Sequence, residues 1–496
     1  MSSFFRFFLL SIIFSPLLLN LYDLSIAIIN NTESLEYFFE KKSISLIKNS
    51  IFLSITVATI ATSLGGILAL LFFTLSKKLK QYYFLLLFLF FAIEPIIYLG
   101  AFQKTAFFAL LSPFWQTVLT LSPSMIGLCG LIFIFALLLL INKDNLRVSS
   151  IIASTINILK FIIKPQLIFV FFLAFFIVFV LIFGHQEVSS ILGYRTYAED
   201  FLAQISLMEN ISQTAIASIV FYILAMVILG LLIFFIKVYH LKFQIKERIE
   251  GFSLSFVNPI ITKFIFFFLL LLFLMLLSLL IIQIDFSEFE SLILDNYEIV
   301  IKSLMVTLVI SILATMLSLF VYKIIKQFKS FTVIILVLLM LLTPSALIGL
   351  EVIQIAQFLN ANSLWIDYLF FILSSSIKLM PIGVGVIAIL YYRDIEDESS
   401  KFFAISKIDI FLKITLPSYG KKWIFVGMVL TVFALNQLSI SILLIPIGFE
   451  ILIIKIYNLL HYGDYSAVTF LSLVQIAIIL LILIKIRKLN DRITQY

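Results

Sequence analysis

The sequence predicts an all-α integral membrane protein with about 12 transmembrane helices in two tandem six-helix repeats. Three observations predict it: the composition, the length and number of the apolar runs, and the return of the same residues at a nearly fixed offset. Hydrophobic residues fill 63% of 496 positions and charged residues 12%, whereas a soluble domain is nearer half apolar and a quarter charged. Lipid is therefore the solvent for most of these side chains. The apolar runs reach the length of about 20 residues that a spanning helix needs, too long for buried strands. A helix also satisfies its own backbone polar groups, which hydrocarbon cannot do.

The first run, 4–29, carries Arg6 near its start and shows no small-residue cleavage site before Asn20-Leu-Tyr-Asp, so an uncleaved span is expected rather than a signal peptide. Further runs follow at 51–75, 83–102, 118–141, 166–183 and 215–236. A polar stretch with Lys242, Lys246, Glu247, Arg248 and Glu250 interrupts the pattern. Six more runs lie at 264–282, 304–322, 331–355, 369–391, 424–444 and 467–485. The expected division is a first repeat over 1–238, a linker over 239–263 and a second repeat over 264–496.

Lysine and arginine are retained on the cytoplasmic side of short loops. An N-terminus inside puts 26 of the 34 basic residues on that side, and the opposite segment 285–298 holds five carboxylates and no lysine. An odd number of spans would scramble this partition. Both termini are thus expected in the cytoplasm, with the chain crossing the cell inner (plasma) membrane many times.

The repeat is visible residue by residue. Ser50-Ile-Phe-Leu-Ser with Ala61-Thr62-Ser63-Leu64 returns 253 residues later as Ser303-Leu-Met-Val-Thr with Ala314-Thr315-Met316-Leu317. Pro95 and Gly100 return as Pro344 and Gly349 at an offset of 249, and Pro165 as Pro417 at 252. Matches in corresponding spans at nearly one offset are hard to produce by chance. Six spans per copy make the copies face the same way, which gives a pseudo-twofold axis along the membrane normal and a pathway expected between the halves.

Several function classes are excluded. Cys129 is the single cysteine and His185, His240 and His461 are scattered, so neither an intrachain disulfide nor a His/Cys metal cage is expected. The net charge of +7 is spread over small loop clusters, which fits membrane topology and not nucleic acid. The chain has no Gly-x-x-x-x-Gly-Lys-Ser/Thr loop, zinc-protease helix or nucleophile elbow, so it is expected neither to be an enzyme nor to carry a cofactor. Energy for any transport must come from a partner or an ion gradient.

The loop 393–422 is the most informative segment. Asp394 can cap a short helix whose first turn holds Glu396, Asp397 and Glu398, where carboxylates suit the positive end of the dipole. Phe402, Phe403 and Ile405 give it an apolar patch that a groove or a membrane surface could receive. Pro417 suits the first turn of the next span. Glu398-Ser399-Ser400, three residues and Ala404, then Leu416-Pro417 thirteen residues after Ala404, resemble the loop of binding-protein-dependent ABC transporter permeases, Glu-Ala-Ala, three residues, Gly and a later Leu-Pro. Serines replace both alanines and Ala404 replaces the glycine. The resemblance implies type I ABC permease repeats, and a coupling helix at Glu398, Ser399, Ser400, Phe402, Phe403, Ala404, Leu416 and Pro417 that docks on a cytoplasmic ABC ATPase dimer, which itself binds ATP and Mg. The aligned positions of the first copy, Leu146, Arg147, Val148 and Ile152 before Pro165, lack the signature.

Downstream, Asn436-Gln437-Leu438, Pro446, Gly448-Phe449-Glu450 and Gly463-Asp-Tyr465 resemble the end of fused ferric-iron permeases, as Gly184-His185 and Gly193-Tyr-Arg195-Thr196 resemble elements of their first half. Where that family has Glu, this chain has His185 and Gln437. The resemblance implies import of ferric iron delivered by a periplasmic solute-binding protein; thiamine permeases share the architecture, and an ion-gradient-driven secondary transporter is the alternative mechanism. Polar residues inside spans add pathway candidates. Glu94 precedes Pro95 and Lys378 precedes Pro381, and the two could pair across the halves or each bond neighbouring backbone. Asn436, Gln437 and Ser374 to Ser376 suit helix packing as well as a pathway with His185. Membrane lipid is the remaining expected partner.

Overall fold

Long apolar stretches set where the helices run, and every described element is helical. The computed structural model describes residues 3–30, 40–140, 164–207, 216–238, 259–328, 330–359, 363–391 and 416–494. In chain order the helices are α1 (Ser3–Asn30), α2 (Lys41–Phe72), α3 (Lys77–Ala92), α4 (Pro95–Phe102), α5 (Ala106–Ala109), α6 (Pro113–Leu140), α7 (Lys164–Phe183), α8 (Glu187–Ile191), α9 (Tyr197–Leu207) and α10 (Ile219–Val238). They continue as α11 (Pro259–Ile282), α12 (Phe289–Phe328), α13 (Phe331–Leu342), α14 (Ser345–Phe358), α15 (Leu364–Tyr391), α16 (Leu416–Leu435), α17 (Leu438–Leu444), α18 (Leu452–Tyr462) and α19 (Tyr465–Thr494).

Among the described residues 7 helices, α1, α2, α6, α11, α12, α15 and α19, are long and apolar enough to cross a bilayer, and up to 10 spans result if each sharply bent pair counts as one. The protein is an all-α membrane protein with fewer straight spans than the dozen expected. The bent pairs explain part of the difference: α3 with α4, α13 with α14 and α16 with α17 turn by 83°, 102° and 66°. The described parts of α7 and α10 are shorter apolar helices. Conversely, α2 and α12 have 32 and 40 residues, well beyond the apolar runs within them. The polar flanks 41–50 and 289–303 contain neither proline nor glycine, so nothing stops the helix where hydrophobicity ends.

The chain forms two compact units that cut across its order: Met1–Ile26, Glu290–Lys455 and Gln475–Tyr496 make the first, Ala27–Phe289 and Ile456–Val474 the second. In the first unit, Ile13 and Phe14 of α1 are buried with Val321 and Ile324 of α12, Val337 and Met340 of α13, Ile348 of α14 and Met380 of α15. The N-terminal helix therefore completes a core made of late helices. In the second unit α2 packs on α6 and α7. It comes close to α6 at Gly65, where an added Cβ would lie 2.5 Å from the Cβ of Cys129 and 2.8 Å from the nitrogen of Gly130. Small residues let membrane helices approach this way.

The equivalent crossing recurs within the first unit. Ser318 and Gly383, each 253 residues after Gly65 and Gly130, are in contact, and Ser318 Oγ donates to Met380 O at 3.0 Å. The repeated serines also share a role. Ser50 Oγ accepts the N–H of Tyr197, the first residue of α9, at 2.8 Å, and Ser303 Oγ accepts the N–H of Leu452, the first residue of α18, at 2.6 Å. Each removes one unpaired donor from a helix start.

Candidate functional site at the broken helices

Proline sets two of the breaks. It cannot donate, and it disfavours helix in the residue before it. Glu94, ahead of Pro95, is extended at φ −62° and ψ 139°, so α3 ends and α4 begins with Pro95 in its first turn. In the first unit Thr343 is extended ahead of Pro344 and returns its own N–H to Leu339 O at 2.9 Å. The carbonyls that end each preceding helix need other donors. Tyr98 supplies its hydroxyl to Phe90 O at 3.0 Å. At the second break Lys378 Nζ donates to Met340 O and Leu341 O at 3.2 Å each, and to Thr343 O. The predicted pathway residue Lys378 is thus bound to backbone, at the negative end of a helix.

In the second unit α7 stops at Phe183, and Gly184, His185 and Gln186 lead into α8. His185 Nδ1 lies 3.1 Å from Glu187 Oε2, close but too poorly aligned to be a hydrogen bond, and the imidazole Nε2 has no hydrogen-bond partner among the described residues. Glu187 is 5% exposed and accepts the N–H of Gln186 at 3.2 Å. Because α8 packs on α4, Glu187 and the half-buried Glu94 lie within electrostatic range of each other. The break in α3–α4 and the end of α7 therefore bring an imidazole and two carboxylates into one polar region. No group of three or more His, Cys, Asp or Glu among the described residues has the geometry to hold a metal ion. What the region offers is hydrogen bonding and proton exchange.

In the first unit Asn436 and Gln437 occupy the break between α16 and α17. Asn436 Oδ1 accepts from Gln475 Nε2 at 2.8 Å, and Gln437 Nε2 donates to Ser375 O at 3.2 Å. Gln437 Oε1 is buried without a partner among the described residues. Ser374 and Ser376 bond backbone carbonyls, Ser376 reaching Ile310 O on α12 at 3.2 Å, which is helix-packing use of a hydroxyl. Sequence reasoning missed one charged group here. Glu351 of α14 is 1% exposed and accepts from Asn20 of α1 through Oε1, while its Oε2 has no hydrogen-bond partner among the described residues. A carboxylate inside the apolar run 331–355 was the signal available for it. Glu187 was hidden in a polar loop of the sequence, where a carboxylate draws no notice.

The predicted coupling residues Glu398, Ser399, Ser400, Phe402, Phe403 and Ala404 lie outside the described residues. Leu416 and Pro417 are the first two residues of α16, as Lys164 and Pro165 are of α7. No protein-family model, curated protein or solved structure matches the chain.

Proposed function

We propose that this chain is the membrane-spanning permease subunit of an ATP-driven ABC importer in the cell inner membrane, with both termini cytoplasmic and ferric iron, handed over by a periplasmic binding protein, as its cargo. The observation that carries the reading is the duplication. Residues matched at an offset of about 250 in the sequence have like roles: serine caps at Ser50 and Ser303, breaks at Pro95 and Pro344, and close crossings at Gly65 and Ser318, which supports two copies of a six-span unit. Between the fourth and fifth spans of the second copy stands the loop from Glu398 to Pro417. Counting each bent pair as a span and adding the two shorter apolar helices gives the twelve spans that reading needs. A cytoplasmic ATPase dimer would bind ATP and Mg and grip the segment Glu398 to Ala404. Leu416 and Pro417, which open α16, would pass its motion to the break at Asn436 and Gln437.

Vesicles holding the chain, its ATPase and its binding protein should accumulate radiolabelled ferric iron only with ATP, and excess thiamine should not compete. Thiamine uptake would keep the mechanism and replace the cargo. Uptake driven by an ion gradient without the ATPase would replace the mechanism with secondary transport. Ala404→Glu should abolish co-purification with the ATPase while membrane insertion is retained; undiminished co-purification would remove the coupling role.

A further inference from the structure

A cleft in the first unit lies apart from the break at Asn436 and Gln437, on the stretch of α16 that precedes it. Its volume is about 260 Å³, and it is lined by Ile424 and Met428 of α16 and by Lys485, Lys488 and Leu489 of α19. Spacings of three and four residues put each set on one face of its helix. The walls are hydrocarbon. The only charged groups on them are the two ammonium heads, carried on apolar stems. Both lysines are exposed, and neither has an ion-pair or hydrogen-bond partner among the described residues. The apolar part of α19 runs from Tyr465 to Leu489, so the cleft sits where that span leaves the hydrocarbon. Lys421 and Lys422 of α16 and Arg487 of α19 add to the positive charge of these two segments.

We propose that this cleft holds an anionic phospholipid, with an acyl chain against Ile424, Met428 and Leu489 and the headgroup phosphate on Lys485 and Lys488. Charge and shape argue for that occupant together. Unpaired ammonium groups at a membrane surface attract anionic headgroups. A zwitterionic lipid brings its own cation beside the phosphate and gains less. A water-soluble phosphate gains nothing from the apolar wall, whereas an acyl chain covers it.

The test uses the full chain and its own fluorescence. Of the 3 tryptophans, Trp115, Trp365 and Trp423, the last directly precedes Ile424. In the variant Trp115→Phe/Trp365→Phe, Trp423 reports alone. Brominated phosphatidylglycerol titrated into phosphatidylcholine micelles should quench it saturably at low mole fraction, while brominated phosphatidylcholine quenches only in proportion to its amount. Adding Lys485→Gln/Lys488→Gln should raise the phosphatidylglycerol needed roughly thirtyfold. Lys485→Arg/Lys488→Arg should leave the curve in place, and Met428→Phe, which fills the cleft and keeps both charges, should remove the saturable phase. Equal quenching by the two lipids, an unshifted curve in the glutamine variant, or displacement of the lipid by excess glycerol phosphate would each overturn the proposal.

Discussion

In the second unit the break at Pro95 is capped from within, because Tyr98 stands three residues after the proline and reaches back to Phe90 O. In the first unit the break at Pro344 is capped from outside, because Lys378 belongs to α15 and spans Met340 O, Leu341 O and Thr343 O. The backbone event is the same in both copies and follows from proline. The donor that satisfies the stranded carbonyls is free to differ, provided one is there. A donor on a neighbouring helix does a second job: it ties α15 to the end of α13. Lys378→Met keeps the stem and removes every bond to those carbonyls. We expect it to lower stability in detergent by about 3 kcal/mol, since several buried acceptors lose their donor at once. Equilibrium unfolding in mixed SDS micelles would read the loss, and a wild-type midpoint would show that the break is held by something else.

The helix crossings differ between the copies in a second way. At Gly65 the small residue is on α2 and the neighbouring backbone of α6 closes in. In the first unit Ser318 fills that position and the gap is supplied by Gly383 on the opposite helix. The two versions should respond unequally when the matched position is substituted. Gly65→Ala pushes a methyl against Cys129 Cβ and Gly130 N, neither of which is the far end of a flexible side chain, and should cost about 2 kcal/mol. Ser318→Gly loses the hydroxyl shared between Ala314 O and Met380 O and some packing, and should cost less than about 1 kcal/mol. Thermal unfolding of the two variants in one detergent gives the ratio; equal losses would mean that the crossings are not equivalent positions of one repeat.

Much of the fold could be read from the sequence because lipid imposes a simple rule on it. Apolar runs marked the helices, and Pro95 and Pro344 were recognised as matched positions, while the runs 83–102 and 331–355 were each read as one span with no bend in it. The bends were legible in principle, since a proline after Glu94 or Thr343 removes a donor in mid-span. The exchange that puts Ile13 and Phe14 among helices of the second repeat was not legible. It depends on which apolar surface each helix meets, and an apolar pattern that suits lipid suits any partner. The same limit applies to Lys378. Its place in a span flagged it as costly and left open a pairing with Glu94 or a bond to neighbouring backbone; the geometry shows its ammonium group on the carbonyls of Met340, Leu341 and Thr343. Glu351 and Asn20 lie 331 residues apart, and no local pattern could have joined them.

The serine caps are the place where the copies agree, so equal effects are expected there. Ser50→Ala should free the N–H of Tyr197, and Ser303→Ala that of Leu452. Each loss of a capping acceptor should cost about 1 kcal/mol. Hydrogen exchange resolved to peptides would show the first turn of α9 exchanging faster in one variant and the first turn of α18 in the other, by similar factors. A large response in only one would locate an unequal step between the copies at these short helices.

The smallest expected effect concerns the locally capped break. Tyr98→Phe keeps the ring that stacks on Phe102 and deletes only the hydroxyl on Phe90 O. One neutral hydrogen bond in a membrane protein contributes on average about 0.6 kcal/mol. The loss should therefore be a small fraction of that for Lys378→Met under the same unfolding conditions. If the two losses instead match, capping is not what separates the breaks. The tie from α15 to α13 would then contribute no more than a local hydroxyl, and the bend at Pro344 would owe its stability to the packing of Val337, Met340 and Ile348 in the core they share.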